Sequence, residues 1–334
     1  MISVKEALQT VLNSAQDFGV EKIPFIKSVG RILKEDIKAD RDFPPFNRVS
    51  MDGIAIDFKE FSSRLRSNRH LQFKIEGIQA AGSEQITLLN PENCIEVMTG
   101  AVLPNNCDTV IRYEDVTIEN GIATININEI NKNQNIHQKG KDGKVGDLLI
   151  PQNTIISAAE IGVLATVGKS TIKVAKQPKV MIVSTGDELV GVDETPLAHQ
   201  IRRSNVFTLV SLLEKLHIPS ETAHLTDDKP MLREKIRTYL STYDVLLFSG
   251  AVSKGKFDFL PEVFEELGVE KLFHKVAQRP GKPFWFGRAA TLSIEQNAVG
   301  KNGLKYTDKR TENKYQNKTV VFGFPGNPIS TFVN

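Results

Sequence analysis

Val180-Met-Ile-Val-Ser184-Thr-Gly-Asp-Glu188 is the stretch on which the reading of this chain turns. An uninterrupted apolar run passes into small polar residues and glycine, then into two carboxylates. A short continuous run of this kind is what a strand buried on both faces of a parallel sheet presents. The pattern recurs at Val245-Leu-Leu-Phe-Ser249-Gly-Ala-Val-Ser253 and at Thr319-Val-Val-Phe-Gly323-Phe-Pro-Gly-Asn-Pro328. Ligands of open α/β sheets gather outside the carboxyl ends of such strands. Small residues there let backbone N–H groups approach an anion, and a following helix adds its positive end. Three such loops in one half of the chain predict a single rim suited to phosphate or another oxyanion.

Working outward, the spacing predicts a strand at 180–184, a helix around 205–216, a strand near 220–225, a helix at 229–241 and a strand at 245–249. A helix at 258–267, a strand-like 284–287 and a strand at 319–324 complete the set, an alternation that means βαβ units and a parallel sheet. Upstream, Val4, Ala7, Leu8, Val11, Leu12 and Ala15 recur at helical spacing over Val4 to Phe18, with Ser3 and Glu6 as a capping box. From Asp40 to Asp147 short β-like runs punctuated by Gly and Asn predict a small, mostly antiparallel domain. A helix from Ser157 to Val167 and a strand from Ser170 to Val174 lead into the α/β section. Glu295 to Lys318 turns polar and reads as an inserted surface loop. Pro328 to Asn334 opens a helix with no C-cap, so a further domain is expected after it.

At 334 residues two or three domains are expected. A hydrophobic fraction of 40% and a charged fraction of 25% describe an ordinary globular protein. A formal charge of +2 argues against a basic nucleic-acid binder. No apolar stretch approaches the roughly 18 residues that span a bilayer, and no secretory signal opens the chain. Cys94 and Cys107 are too few for a disulfide scaffold, and the six histidines lack metal-ligand spacing. A cytoplasmic protein is the simplest expectation.

Asp187 and Glu188 place carboxylates beside a loop that otherwise suits an anion, which makes sense when Mg2+ bridges them to phosphate. The alternative is that Asp187 caps the following turn and Glu188 is solvated. Asp227-Asp228 and Asp258 stand at helix openings after successive strands, where N-capping is the competing role. Arg279-Pro-Gly-Lys282-Pro holds a guanidinium fork and an ammonium in fixed relation for an oxyanion, or is a solvated basic turn. Asn327 and Pro328 suit N-cap and first helical positions, leaving N–H groups free to face the loop. Ser50-Met-Asp-Gly53, Met98-Thr-Gly-Ala101 and Gly140-Lys-Asp-Gly143 are turn candidates with a hydroxyl or carboxylate beside glycine.

Together these words resemble the molybdopterin molybdenumtransferase family, the MoeA proteins and the E domain of gephyrin. The matching motifs are Pro44-Pro-Phe-Asn-Arg-Val-Ser-Met-Asp-Gly53, Met98-Thr-Gly-Ala101 with Pro104, Ser184-Thr-Gly-Asp-Glu-Leu189, Pro280-Gly-Lys-Pro283 and Pro325-Gly-Asn-Pro328. The resemblance implies a multidomain α/β protein. A MogA-like α/β domain would comprise 1–20 and 176–334, a linker and dimerisation domain 21–39 and 145–175, and a β-rich domain 40–144. On the resemblance, the family's C-terminal β domain is expected to be missing after Asn334.

The resemblance also implies a reaction in which adenylylated molybdopterin receives molybdate with Mg2+, giving molybdenum cofactor and AMP. It implies a homodimer with a shared cleft and a molybdopterin adenylyltransferase as partner. Carried over by motif, Asp52, Thr99 and Asp142 would act from the β-rich side. Asp187, Glu188, Asp228 and Asp258 would hold Mg2+ or polarise water, the first three as metal ligands. Arg279 and Lys282 would hold molybdate or phosphate. Ser184, Gly186, Ser249, Gly250, Ser253, Pro325, Gly326 and Pro328 would shape the pterin and nucleotide loops. Departures are Ala251 where a second Gly is usual, Arg203 where Asp or Asn is usual, and Ile54 in place of Tyr. Two other functions stay open: a molybdopterin adenylyltransferase of the MogA kind, and a non-catalytic molybdopterin-binding or scaffold protein.

Overall fold

The computed structural model describes residues 1–250, 259–290 and 318–334. Ala251, Ser253 and Asp258, and the Glu295–Lys318 loop up to residue 317, lie outside the described residues. The chain divides into two compact units, one of residues 24–26 and 35–172, the other of 1–23, 27–34 and 173–334.

Helix α1 (Val4–Leu12) opens the chain behind the expected capping box: Glu6 N donates to Ser3 Oγ at 3.2 Å and Ser3 N to Glu6 Oε2 at 2.7 Å. It ends at Leu12 rather than Phe18. Only Ala7 is buried, so little tertiary packing extends it. Asp17 Oδ1 accepts Gly19 N at 2.8 Å, a local turn that competes with helix.

The β-rich unit holds strands β1 (Gly53–Ile56), β2 (Gln72–Gln79), β3 (Cys94–Val97), β4 (Thr109–Arg112), β5 (Val116–Glu119) and β6 (Ile122–Ile125). They form one sheet in the order β4-β1-β3-β2-β6-β5, antiparallel except for the parallel β2–β3 pair. Side chains alternate across β1: Ala55 joins the cluster around Val49, Ile95 and Val97, while Ile54 and Ile56 join Phe61, Phe73 and Ile111 on the other face. Gly53 is a steric requirement, because a Cβ there would lie 1.9 Å from Ile111 O. Helices α2 (Phe58–Arg66) and α3 (Ala158–Thr166) belong to the same unit, α3 at the expected place and opening on a Ser157–Glu160 capping box. Both cysteines are buried in the core of this unit as free thiols.

In the α/β unit strands β7 (Val180–Thr185), β8 (Ser220–Leu225), β9 (Val245–Ser249), β10 (Glu270–His274), β11 (Trp285–Ala290) and β12 (Lys318–Phe324) form a second sheet, in the order β8-β7-β9-β12-β11-β10. The pairs from β8 to β12 are parallel, as expected. The pairs β12–β11 and β11–β10 are antiparallel, an addition to the expected parallel βαβ section, and β11 runs further than the expected 284–287. Met181 and Val183 of β7 face helices α5 (Lys229–Thr242) and α6 (Leu260–Glu266) through Leu232, Ile236, Val263 and Phe264. Val180 and Ile182 face Val206 and Leu209 of α4 (Asn205–Lys215) and Ala7 of α1. Helices thus cover both faces and force the three loops out at the carboxyl edge of β7, β9 and β12. Helix α7 (Pro328–Val333) follows β12. No helix among the described residues is long and apolar enough to cross a membrane.

Candidate functional site

The rim of the α/β unit is stitched together by contacts between loops remote in sequence. Asp187 Oδ1 accepts the backbone N–H of Asp227 at 3.1 Å, joining the loop after β7 to the loop after β8. Asp187 therefore does not cap its own turn. Gly250 (φ +103°) sits against β7, where a Cβ would fall 2.9 Å from Thr185 O, and its N–H reaches Phe324 O at 3.1 Å. Asn205, at the start of α4, donates through Nδ2 to Ser249 Oγ at 2.9 Å and to Gly326 O at 3.0 Å. Gly281 (φ +105°) lies against the end of α7, since a Cβ there would meet Asn334 Oδ1 at 2.7 Å. Gln278 Nε2 donates to that same oxygen at 2.8 Å. The loop after β7 is thus tied to the Asp227 loop and packed against Gly250, Asn205 ties Ser249 to Gly326, and the Arg279–Lys282 turn meets the end of α7.

Ser184 is buried at the end of β7, its Oγ 3.1 Å from His224 Nδ1. Gly186 (φ +132°) allows the Glu188 carboxylate to fold back over it, as a Cβ would fall 2.5 Å from Glu188 Oε2. Asp228 is the N-cap of α5, accepting Met231 N at 2.8 Å through Oδ1. Asn327 caps α7 by accepting Ser330 N at 3.0 Å, with Pro328 in its first turn. Pro325 is buried, and its carbonyl accepts Thr331 Oγ1 at 2.6 Å. Lys229 is drawn off the rim: Nζ reaches Glu262 Oε1 at 2.5 Å and Glu266 Oε1 at 2.9 Å, which raises its pKa. Arg279 and Lys282 are exposed, and among the described residues neither pairs with a carboxylate.

Two residues at this rim were not singled out by sequence reasoning. Thr185 Oγ1 and Asn205 Oδ1 are buried with no hydrogen-bond partner, as is Arg203 Nε. Orphaned buried polar atoms are costly, and a bound ligand or ion is a common reason for them. Position inside Ser184-Thr-Gly was the only available signal for Thr185. For Asn205 it was position at a helix opening, which by itself reads as a cap.

In the β-rich unit, residues 43–52 run between two other loops. Val49 N donates to Ala101 O at 2.9 Å, Leu103 N to Asn47 O at 2.8 Å and Gly140 N to Pro44 O at 2.9 Å. Asp52 Oδ1 accepts Thr99 N at 2.6 Å, and Thr99's backbone N–H first, its side chain second, hold the Asp52 carboxyl below the usual carboxylate range. At the other end, Asp142 Oδ1 lies 2.9 Å from His137 Nε2, and Arg48 Nη2 lies 3.2 Å from His137 Nδ1. Asp52, Thr99 and Asp142 are accordingly organised by one segment. A cleft of about 470 Å³ in this unit is lined by Met51, Arg112, Asp115 and Asn135, among others, and Asp52 is not one of its lining residues.

For Mg2+ the fit is partial. Among the described residues no group of three or more His, Cys, Asp or Glu side chains is placed to hold a metal. Asp187 and Asp228 each spend one oxygen on a backbone N–H and keep the other. That suits an ion which takes one or two carboxylates and completes its octahedron with substrate phosphate and water.

The mostly parallel sheet and the separate β-rich unit define the class: a multidomain α/β protein. Residues 2–168 match the MoeA N-terminal region (domain I and II), and residues 181–333 match a probable molybdopterin binding domain. The chain is 39% identical over 335 residues to a molybdopterin molybdenumtransferase of Synechocystis sp., covering 100% of this chain and 78% of that one. A protein of the same name from Staphylococcus aureus is 34% identical over 281 residues, covering 84% and 67%. The crystal structure of a molybdopterin biosynthesis MoeA protein from Pyrococcus horikoshii superposes with a TM-score of 0.77 at 30% identity, covering 99% of this chain and 76% of that one. The chain belongs to the MoeA family, the molybdopterin molybdenumtransferases, transferases of molybdenum cofactor biosynthesis.

Proposed function

We propose that this chain inserts molybdate into adenylylated molybdopterin with Mg2+, releasing AMP and forming molybdenum cofactor. The observation that carries the reading is the set of ties at the strand ends, Asp187 to Asp227, Gly250 to Thr185 and Asn205 to both Ser249 and Gly326, with orphaned Thr185 Oγ1 and Asn205 Oδ1 among them. Cleaving a phosphoanhydride while bringing in a dianion concentrates negative charge, which fixed cations must offset. Arg279 and Lys282 supply two, one as a fork for paired oxygens and one as a point charge. Ser184, Gly186, Ser249, Gly250, Ser253, Pro325, Gly326 and Pro328 shape the loops that receive pterin and nucleotide.

Asp187, Glu188 and Asp228 would hold Mg2+, which when bound supplies charge neutralisation at the phosphates and polarisation of water. Glu188, Asp228 and Asp258 also serve to orient water, while Asp52, Thr99 and Asp142 act from the β-rich unit. Residues 21–39 and 145–175 would link and dimerise, and the protein would work in the cytoplasm as a homodimer supplied by a molybdopterin adenylyltransferase. Such a site needs no protein nucleophile, because positioning and electrostatics suffice.

The test is to mix purified protein with adenylylated molybdopterin and Mg2+, then follow AMP release with and without molybdate. Molybdate-dependent AMP release is expected. Ligand binding with no turnover, or transfer of AMP from ATP onto molybdopterin instead, would overturn the reading.

A further inference from the structure

We infer that His137 is a positioning residue for Asp142, held in one tautomer by Arg48; the inference rests on the role proposed for Asp142. The pairing is built into the backbone, because Arg48–Val49 and Ile136–His137 form an antiparallel ribbon with His137 directly opposite Arg48. Arg48 Nη2 can only donate, so His137 Nδ1, 3.2 Å away, must accept and carries no proton. The proton is then on Nε2, 2.9 Å from Asp142 Oδ1, and His137 donates to that carboxylate. Asp142 is more than half exposed, with its side chain at 56%, whereas His137 stands at 24%. A carboxylate on an exposed turn has no fixed direction of its own. The bond from His137 uses Oδ1 and fixes the plane, leaving Oδ2 as the oxygen that can meet a proton or a water. Asn47 Oδ1, one residue before Arg48, accepts Lys139 N at 2.9 Å and pins the intervening turn.

This role separates His137 from a general base, since its one acceptor nitrogen faces a guanidinium. Arg48 in turn acts through His137 and not on substrate.

Nitrogen-15 spectra of the imidazole in the full chain test the tautomer without reference to activity. Protonation at Nε2 is expected, and the Nδ1–H form at neutral pH would overturn the inference. In the AMP-release assay His137→Phe, which keeps the ring shape, should lower kcat roughly 10- to 100-fold, as for a lost hydrogen bond to a charged group, with little change in KM. His137→Gln, whose Nε2 can donate from a similar place, should recover much of the loss. The double variant His137→Phe with Asp142→Asn should be no slower than Asp142→Asn alone; additive losses would mean that His137 does not act through Asp142. An active Asp142→Asn enzyme would instead remove Asp142 from the proposed chemistry while leaving the tautomer result standing.

Discussion

The Asp52 carboxylate accepts the backbone N–H of Thr99 at 2.6 Å across 47 residues of chain, joining the two most recognisable loops of the β-rich unit. Neither loop shows in its own residues that it needs the other. The bond also explains why that aspartate titrates below its usual range, since an N–H donated to the charged form favours that form.

A depressed carboxyl contributes to stability above its unfolded pKa of about 3.9, and the contribution is lost as pH falls through the lower folded value. The Asp52–Thr99 clasp should therefore be intact at neutral pH and open only below about pH 4. The Thr99 amide proton, followed by NMR on acidification, should shift in that window in the wild type and not in Asp52→Asn. An unchanged wild-type amide would show that the bond does not exist in solution.

Asp228 has two separable duties, as cap of α5 and as proposed participant in chemistry. Asp228→Asn should keep stability within about 0.5 kcal/mol of wild type, because Asn caps as well as Asp, while Asp228→Ala costs about 1 kcal/mol. If the charge matters for turnover, Asp228→Asn still slows molybdate-dependent AMP release by about 100-fold or more. Equal activity of Asn and Asp would reduce this residue to its cap, and urea melts run beside the assay distinguish the two.

Asn205→Ala should destabilise the α/β unit by about 2–3 kcal/mol, since it strands Ser249 Oγ and Gly326 O together. Asn205→Asp is no better, as a carboxylate cannot donate to the Gly326 carbonyl. Denaturant midpoints read by Trp285, the chain's one tryptophan and a buried one, check both variants.

Burial pushes the thiols of Cys94 and Cys107 up to about 12. A raised acid pKa means that the neutral folded form is favoured fully below the unfolded value, about 8.5, and progressively less as pH rises towards 12. Stability should thus hold level up to about pH 8.5 and decline above it. Aromatic disulfide reagents at neutral pH should label neither cysteine until the chain unfolds. Fast labelling of native protein would contradict the burial.

What the amino-acid order determined by itself is whatever depends on neighbours a few residues apart. The apolar run from Val180 marks its strand, Ser3 with Glu6 and Ser157 with Glu160 mark helix starts, and Asn327-Pro328 marks another. Most of the α/β alternation, and the identity of the three glycine-bearing loops, followed from those signals, whereas β1, β5, β10 and α2 were not expected from them. Only the tertiary structure decided the sheet order, the antiparallel turn of β10 and β11, and the choice of partners across the rim. Asn205 reads locally as one more residue at a helix opening, yet it is fastened to positions 44 and 121 residues away. His137 sits among scattered histidines in sequence and becomes a donor to Asp142 only because a two-residue ribbon sets it opposite Arg48. Periodicity and capping are short-range physics that a linear string carries. A hydrogen bond between distant side chains depends on which surfaces the packed core has brought together, and no residue spacing encodes that.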